Sequence, residues 1–170
     1  STQGVSSAAS DVDKRQREIA PGTDHVGTVR AISVETGETL WVYQQRAATM
    51  SLVATAGGLI FGGDTNGRFR AFDQDTGEVL WSQAWEADYA GIQWEIGPGA
   101  TPTVDGDRFY VLVRTGTLSA LAVETGEILW RKQYGEDYGV NRMQWGFDWG
   151  FASAPLVDGD RLICFVGGAP

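Results

Sequence analysis

The chain has 170 residues, of which 42% are hydrophobic and 21% charged, and its formal net charge is −9. This composition is typical of a globular domain with one core, and the negative charge argues against a nucleic-acid partner. One histidine and one cysteine exclude a polyhistidine metal site and an internal disulfide. No apolar run approaches the roughly 20 residues that span a bilayer.

The first 25 residues are polar and rich in serine, with a charged run from Asp11 to Glu18. Such a segment has few apolar side chains to bury. We therefore interpret residues 1–25 as a polar lead-in or as an insertion loop of a longer parent. The start at Ser1 rather than at Met is compatible with removal of a signal peptide or of a longer N-terminal part.

Three later segments repeat one another. Residues 31–41 (AISVETGETLW), 71–81 (AFDQDTGEVLW) and 120–130 (ALAVETGEILW) align without gaps, and their tryptophans are 40 and then 49 residues apart. Each segment predicts a short strand, a Thr-Gly-Glu turn and a second strand that ends at Trp.

A second repeated element lies between these segments. Residues 102–108 (PTVDGDR) match residues 155–161 (PLVDGDR), and residues 55–61 (TAGGLIF) hold the same place one unit earlier. Asp-Gly and Gly-Gly between apolar runs predict hairpin turns, because their residues adopt positive φ. Each unit then has four short strands, and four antiparallel strands every 40 to 50 residues is the period of a propeller blade.

We therefore predict an all-β fold, a partial β-propeller of four-stranded antiparallel blades over residues 26–170. Its blade repeats end at Trp41, Trp81 and Trp130, and a further blade begins after them. A solenoid of helix pairs has a similar period, but it needs apolar residues at helical spacing. Segments such as residues 68–73 (RFRAFD) have the pattern of short strands instead.

The repeated tryptophans have two interpretations. Each is either a stacking platform for a flat ligand or a residue that packs between neighbouring blades. Recurrence at one repeat position favours the packing role, since a ligand platform needs one such residue. The same reasoning assigns Glu38, Glu78 and Glu127 of the Thr-Gly-Glu turns to a structural or solvated role, because chemistry needs a unique site.

Two further segments are candidate sites. Asp64-Thr-Asn-Gly67 resembles the start of a calcium loop, but it lacks the ligand spacing and terminal Glu of an EF-hand, so a β-turn is favoured. Residues 145–149 (WGFDW), with Trp94 in the preceding insertion, interrupt the repeat. Insertions map to the loop faces of a propeller, where binding sites lie. Trp145, Asp148 and Trp149 are therefore the predicted binding residues, for a sugar, a quinone or a cation, with an aromatic mini-core as the alternative.

The pattern Ala-x-Asp-x-x-Thr-Gly-x-x-x-Trp resembles the repeat of the pyrroloquinoline quinone (PQQ) dehydrogenase-like propellers, and residues 71–81 match it in full. Ser33 and Ala122 replace its Asp in the other copies. Residues 26–85 resemble the C-terminal blades of PQQ-dependent alcohol dehydrogenases. Residues 97–168 are more similar to the broader PQQ-like propellers, which include non-catalytic scaffolds such as the outer-membrane assembly lipoprotein.

This resemblance implies a parent of about eight blades, of which the chain holds about three. For the enzymes it implies oxidation of alcohols or sugars with PQQ and calcium, in the periplasm or outside the cell. The chain departs from the enzymes because it has no Cys-Cys pair and because residues 48–52 read ATMSL, where the enzymes often carry a Trp with glycines. No catalytic residue is carried over, and the catalytic residues remain unassigned.

Three hypotheses follow from the sequence. The first is a fragment of a PQQ-dependent dehydrogenase, inactive alone, because the end at residues 167–170 (GGAP) falls within a blade. The second is a non-catalytic scaffold that binds proteins, and the third is a carbohydrate-binding surface on the aromatic loop. An open fan of blades leaves apolar sheet faces uncovered, so we expect its partners to be the remaining blades of a parent or other copies of the chain.

Overall fold

The computed structural model describes residues 22, 24, 25, 27–45, 47, 49–85, 100–140 and 150–167. Within these residues the chain forms two complete four-stranded antiparallel sheets and two two-stranded sheets. The predicted all-β fold of four-stranded antiparallel blades is confirmed. Of the lead-in segment, residues 1–25, the structure describes only residues 22, 24 and 25, and Trp94 lies outside the described residues.

The first complete sheet, which we call blade 2, has the order β3-β4-β5-β6. Its strands are β3 (Thr49–Ala54), β4 (Leu59–Asp64), β5 (Arg68–Asp73) and β6 (Val79–Ala84). The second, blade 3, consists of β7 (Thr103–Asp105), β8 (Arg108–Leu112), β9 (Thr117–Ala122) and β10 (Ile128–Gln133), and a five-residue helix α1 (Tyr134–Tyr138) follows it. Each strand pairs with its sequence neighbour, as in a propeller blade.

The two smaller sheets are complementary halves of a blade. The N-terminal half-blade contains β1 (Gly27–Ile32) and β2 (Thr39–Gln45), which correspond to the third and fourth strands of blades 2 and 3. The C-terminal half-blade contains β11 (Leu156–Asp158) and β12 (Arg161–Ile163), which correspond to the first and second strands.

Glycine shapes the turns between these strands. Gly58 and Gly106, in the Gly-Gly and Asp-Gly turns, have φ of 77° and 57°, and Gly77 and Gly126, in the Thr-Gly-Glu turns, have φ of 73° and 70°. Only glycine adopts this left-handed conformation without strain. The predicted hairpin turns are confirmed, but in the Asp-Gly and Gly-Gly pairs only the second residue, Gly106 or Gly58, has positive φ, and not both residues as expected.

The core of the described chain lies between blades 2 and 3. Phe61 and Phe69 of blade 2 stack on Phe109 of blade 3, with ring centroids 5.0 and 5.4 Å apart, and all three rings are fully buried. Burial of each such ring contributes about 1.5–3 kcal/mol of hydrophobic free energy. This shared aromatic layer holds the two blades against each other.

Because successive strands are antiparallel, the loops that connect them lie alternately at two opposite ends of the sheets. The connections between blades, after Gln45, Ala84 and Gln133, leave from the same end as the hairpin turns at residues 64–67 and 113–116. We call this end the insertion face, because both long inter-blade insertions begin there. The Gly-Gly, Asp-Gly and Thr-Gly-Glu turns lie at the opposite end.

Candidate functional site

The repeated tryptophans tie each blade to the next. The indole Nε1–H of Trp41 donates to the carbonyl oxygen of Gln74 at 2.9 Å, and that of Trp81 donates to the carbonyl oxygen of Val123, also at 2.9 Å. Each ring covers the glycine of the following Thr-Gly-Glu turn, Gly77 or Gly126, so closely that a Cβ there would lie 2.6 Å from ring atoms. The predicted packing role is confirmed for these two residues, whose indole N–H and ring are committed to the neighbouring blade.

The Thr-Gly-Glu turns are built around their own backbone. The side chain of Asp73 accepts hydrogen bonds from Thr76 N–H at 2.8 Å, Thr76 Oγ1–H at 2.9 Å and Asp75 N–H at 3.0 Å. These bonds, chiefly that from the Thr76 N–H, lower the pKa of Asp73 below its usual value. The glutamates of the three turns are all exposed, as predicted: Glu38, Glu78 and Glu127.

Asp64 also has a structural role, as the β-turn interpretation predicted. Its Oδ1 accepts the N–H groups of Asn66 at 2.8 Å and Arg68 at 3.1 Å, while the N–H of Gly67 donates to the Asp64 carbonyl at 3.1 Å. Its Oδ2 accepts from Arg70 Nη1 at 2.7 Å, and both side chains are buried. The carboxylate of Asp64 therefore closes the turn and forms an ion pair with the Arg70 guanidinium.

The predicted binding residues Trp145, Asp148 and Trp149 lie outside the described residues. The residues on either side of this segment are anchored to the insertion face. On one side, the Val140 N–H donates to the Tyr134 carbonyl at 3.3 Å, and on the other the Phe151 N–H donates to the Arg114 carbonyl at 2.9 Å. The assignment of residues 145–149 to a binding role stays a prediction.

The two residues that follow this segment, Gly150 and Phe151, are tightly packed. Gly150 has a φ of 66°, and a Cβ there would lie 2.5 Å from the Arg114 carbonyl oxygen. The ring of Phe151 meets Tyr134 edge-on, with centroids 5.1 Å apart. Burial, followed by the neighbouring Cys164 thiol, raises the pKa of Tyr134 well above its usual value. Tyr134 is thus a neutral anchor of the insertion face across the physiological pH range.

A polar cleft lies beside this anchor at the end of β10, with a volume of about 670 Å³. Its lining combines both signs of charge with amide, hydroxyl and indole groups, contributed by two blades and by α1: Ala84, Trp85, Thr117, Arg131, Lys132, Gln133, Glu136 and Asp137. Sequence reasoning did not find this cleft. Its one sequence signal is the basic pair Arg131-Lys132, where the equivalent positions of the earlier units read Val42-Tyr43 and Ser82-Gln83.

Hydrogen bonds hold the cleft in shape. The Thr117 hydroxyl donates to Gln133 Oε1 at 2.6 Å, and Gln133 Nε2 donates to the Thr115 carbonyl at 3.3 Å. Asp137 accepts the Gln133 N–H at 2.6 Å and lies 3.5 Å from Lys132 Nζ. Since these groups are fixed while Lys132 remains half exposed, the cleft presents donors and acceptors in a defined arrangement. Such an arrangement suits recognition of a polar ligand.

The described residues do not form a calcium site that would hold PQQ. A calcium site needs several oxygen ligands around one ion, yet both carboxylate oxygens of Asp64 are used within the fold. No three acidic, histidine or cysteine residues group together within the described ranges. The indoles of Trp41 and Trp81 are committed to blade packing, and Trp85 is buried against Phe69.

Among the solved structures that match, BamB from Moraxella catarrhalis superposes with a TM-score of 0.61 at 20% identity, over 80% of this chain and 40% of that chain. The computationally designed Ika4 protein superposes with a TM-score of 0.58 at 14% identity, over 80% of this chain and 71% of that chain. The match to quinohemoprotein alcohol dehydrogenase from Comamonas testosteroni has a TM-score of 0.48 at 23% identity, over 64% and 19% of the two chains. At these identities the first two likenesses show the fold alone.

The aligned part of this chain thus spans less than half the length of the Moraxella protein. No curated protein sequence matches the chain. In the part that the structure describes, no helix is long and apolar enough to cross a membrane. Residues 25–144 and 65–168 both match the family model described as outer membrane protein assembly factor BamB. The chain belongs to this family of PQQ-like repeat propellers.

Proposed function

We propose that this chain is part of a non-catalytic propeller scaffold that binds an extended polypeptide across its insertion face, in the periplasm or outside the cell. The observation that carries the proposal is the polar cleft of about 670 Å³ at the end of β10. A cleft of this size is within the roughly 300–1,000 Å³ range of ligand sites, and its lining includes Trp85, at the start of one inter-blade insertion, and Asp137, at the start of the other. Membership of the family described by an assembly factor supports the same proposal.

The chemistry of the cleft favours a polypeptide. Arg131 and Lys132 offer cations, Glu136 and Asp137 offer anions, and Gln133 adds an amide. A peptide backbone needs both hydrogen-bond donors and acceptors. The charged side chains of a peptide, whether acidic or basic, would meet residues of opposite charge in the lining of the cleft. A small alcohol has too few polar groups to engage this set.

Selection of displayed peptides tests the proposal. We expect a library of random dodecapeptides to yield binders whose affinity falls about 5- to 10-fold in Lys132→Glu, since one exposed charged contact contributes about 1 kcal/mol. Arg108→Glu is the matched control, because Arg108 is also half exposed but begins β8, at the opposite end of blade 3. Absence of enriched peptides, or equal losses in the two variants, would contradict the proposal.

A segment of a PQQ-dependent dehydrogenase is the second candidate, favoured by the complete match of residues 71–81 to the repeat of those enzymes. Its test is reconstitution of the full-length parent with PQQ and calcium, followed by alcohol- or glucose-dependent dye reduction. Turnover would replace the scaffold proposal with an enzymatic one. The chain alone is expected to give no turnover under either proposal, so only the parent discriminates between them.

A further inference from the structure

The guanidinium of Arg131, in the lining of the cleft, belongs to a cross-strand pair that blade 2 contains in reverse. In blade 2, Arg70 of the third strand lies opposite Ser82 of the fourth. In blade 3, Ser119 of the third strand lies opposite Arg131 of the fourth. Directly opposed residues project from the same face of a sheet, so each complete blade carries one guanidinium at the same level and on the same face.

In blade 2 this guanidinium has partners within the fold. Arg70 is buried, and its Nη1 donates to Asp64 Oδ2 at 2.7 Å and to Gln45 Oε1 at 3.5 Å. Its guanidinium carbon also lies 5.8 Å from the ring centroid of Tyr43. The cation of blade 2 is therefore neutralised by a carboxylate of its own blade and flanked by β2 of the N-terminal half-blade, which contributes both Tyr43 and Gln45.

Arg131 has no corresponding carboxylate in blade 3. By strand register, Val113 occupies the position of Asp64, and it is apolar and 1% exposed. Arg131 is exposed, and it forms no hydrogen bond or ion pair within the described ranges. Of the two carboxylates in the cleft, Asp137 accepts a backbone N–H of β10 at 2.6 Å, and Glu136 forms no ion pair in the part of the chain that the structure describes. The cleft thus presents a cation alone where blade 2 has a cation and its carboxylate.

A second donor in the lining of the cleft lacks an acceptor. Trp85 follows the repeat Trp81 at the same spacing at which Gln45 follows Trp41, so it holds the position that contacts the guanidinium in blade 2. Trp85 is 7% exposed, packs edge-on against Phe69 and lines the cleft. Its Nε1–H is buried and has no acceptor among the residues that the structure describes. A buried donor without an acceptor is unfavourable, so a ligand oxygen here gains a hydrogen bond that the described chain does not provide.

We propose that the cleft anchors its polypeptide through a carboxylate, which takes the place beside Arg131 that Asp64 has beside Arg70. The carboxylate accepts hydrogen bonds from the Arg131 guanidinium and from the Trp85 indole N–H. Guanidinium and carboxylate groups form paired, charge-assisted hydrogen bonds, which a neutral amide does not match. An acidic side chain and a free C-terminus both supply this group. The inference rests on the proposed function and names the chemical group by which that site recognises its ligand.

Affinities of matched peptides test the carboxylate. Each dodecapeptide selected on the wild-type chain is synthesised with each Asp or Glu replaced in turn by Asn or Gln, and also as its C-terminal amide. We expect one of these neutral forms to bind about 10-fold more weakly, because a hydrogen bond to a charged group is lost, and its identity distinguishes a side chain from the C-terminus. In Arg131→Gln the charged and neutral forms should bind within about twofold of each other. Arg68→Gln is the matched control, because Arg68 is an exposed cation that begins β5 at the insertion face but lies outside the lining of the cleft, and it should keep the full preference.

The indole N–H provides a second readout by NMR. In an isotope-labelled chain, the Nε1–H resonance that disappears in Trp85→Phe identifies Trp85. It should move downfield when the charged peptide binds and move less when the neutral form binds at saturation, and an unmoved resonance would overturn the assignment of Trp85 as a donor. Equal affinities of the charged and neutral peptides, or an acid preference that survives in Arg131→Gln, would overturn the inference while leaving the scaffold proposal in place. Absence of any enriched peptide would overturn both.

Discussion

The contact between Trp81 and Gly126 joins the two complete blades. The loss of unfolding free energy in Gly126→Ala tests how tightly the two residues are packed. A Cβ at Gly126 would lie 2.6 Å from the Trp81 ring. The ring cannot retreat freely, since it stacks on Phe109 at 5.4 Å and its Nε1–H is bonded to Val123. Gly126→Ala therefore combines about 1–2 kcal/mol of left-handed backbone strain with about 1–3 kcal/mol of overpacking.

Gly106→Ala separates these two contributions. Gly106 lies in the same blade with a φ of 57°, and nothing lies within 4 Å of its Cβ position. We expect a loss of about 1–2 kcal/mol at Gly106 and about 2–5 kcal/mol at Gly126. In urea unfolding followed by far-UV circular dichroism, the second variant has the lower midpoint.

A double variant completes the test. In a Trp81→Leu background the clash at Gly126 disappears, so Gly126→Ala should then cost no more than Gly106→Ala, about 1–2 kcal/mol. The expected interaction free energy of the cycle is about 1–3 kcal/mol. Equal costs for the two glycine variants in the parent chain would refute the assignment of Trp81 as an inter-blade contact, as would a cost at Gly126 that persists without the indole.

Three further outcomes are expected. Arg70→Met leaves the Asp64 carboxylate buried without its cation and should cost about 3–5 kcal/mol in urea unfolding. The double variant Asp64→Val, Arg70→Ser, which installs the residues that blade 3 has at these positions, should recover most of that loss, and failure to recover would contradict the equivalence of the blades. Ala122→Asp supplies the turn acceptor that Asp73 provides in blade 2 and should stabilise the chain by about 0.5–1.5 kcal/mol; no gain in the urea midpoint would argue against that role. Because the folded-state pKa of Asp73 is lowered, its contribution to stability is present above the unfolded pKa and lost as pH falls through the folded pKa. Carboxyl NMR should show a midpoint below the ordinary aspartate value that rises in Thr76→Val, and an unchanged midpoint would exclude the hydroxyl as a cause.

The blades were predictable because their signals are local. A tight hairpin turn needs a residue with positive φ, which Gly106 supplies here, so the Asp-Gly turn before β8 could be identified without knowledge of the fold. The strand β8 (Arg108–Leu112) follows directly after that turn. The packing role of Trp81 followed from recurrence alone.

The cleft was not predictable in the same way. Its walls bring Ala84 of blade 2 next to Thr117 and Lys132 of blade 3, and this proximity depends on how blades pack. The partner of Asp64 was missed for a related reason. Arg70 reaches it only because the hairpin register places the two side chains together, and the sequence shows no more than a turn at that point.

Hydrogen exchange in the presence of a selected peptide is the most direct measurement of where this chain holds a polypeptide. The predicted result is slower exchange of amides in residues 131–137, at the cleft, with no change in the turns at residues 55–58 and 105–108 at the opposite end of the blades. Protection confined to those turns, or no protection in residues 131–137 at saturating peptide, would contradict a binding site on the insertion face.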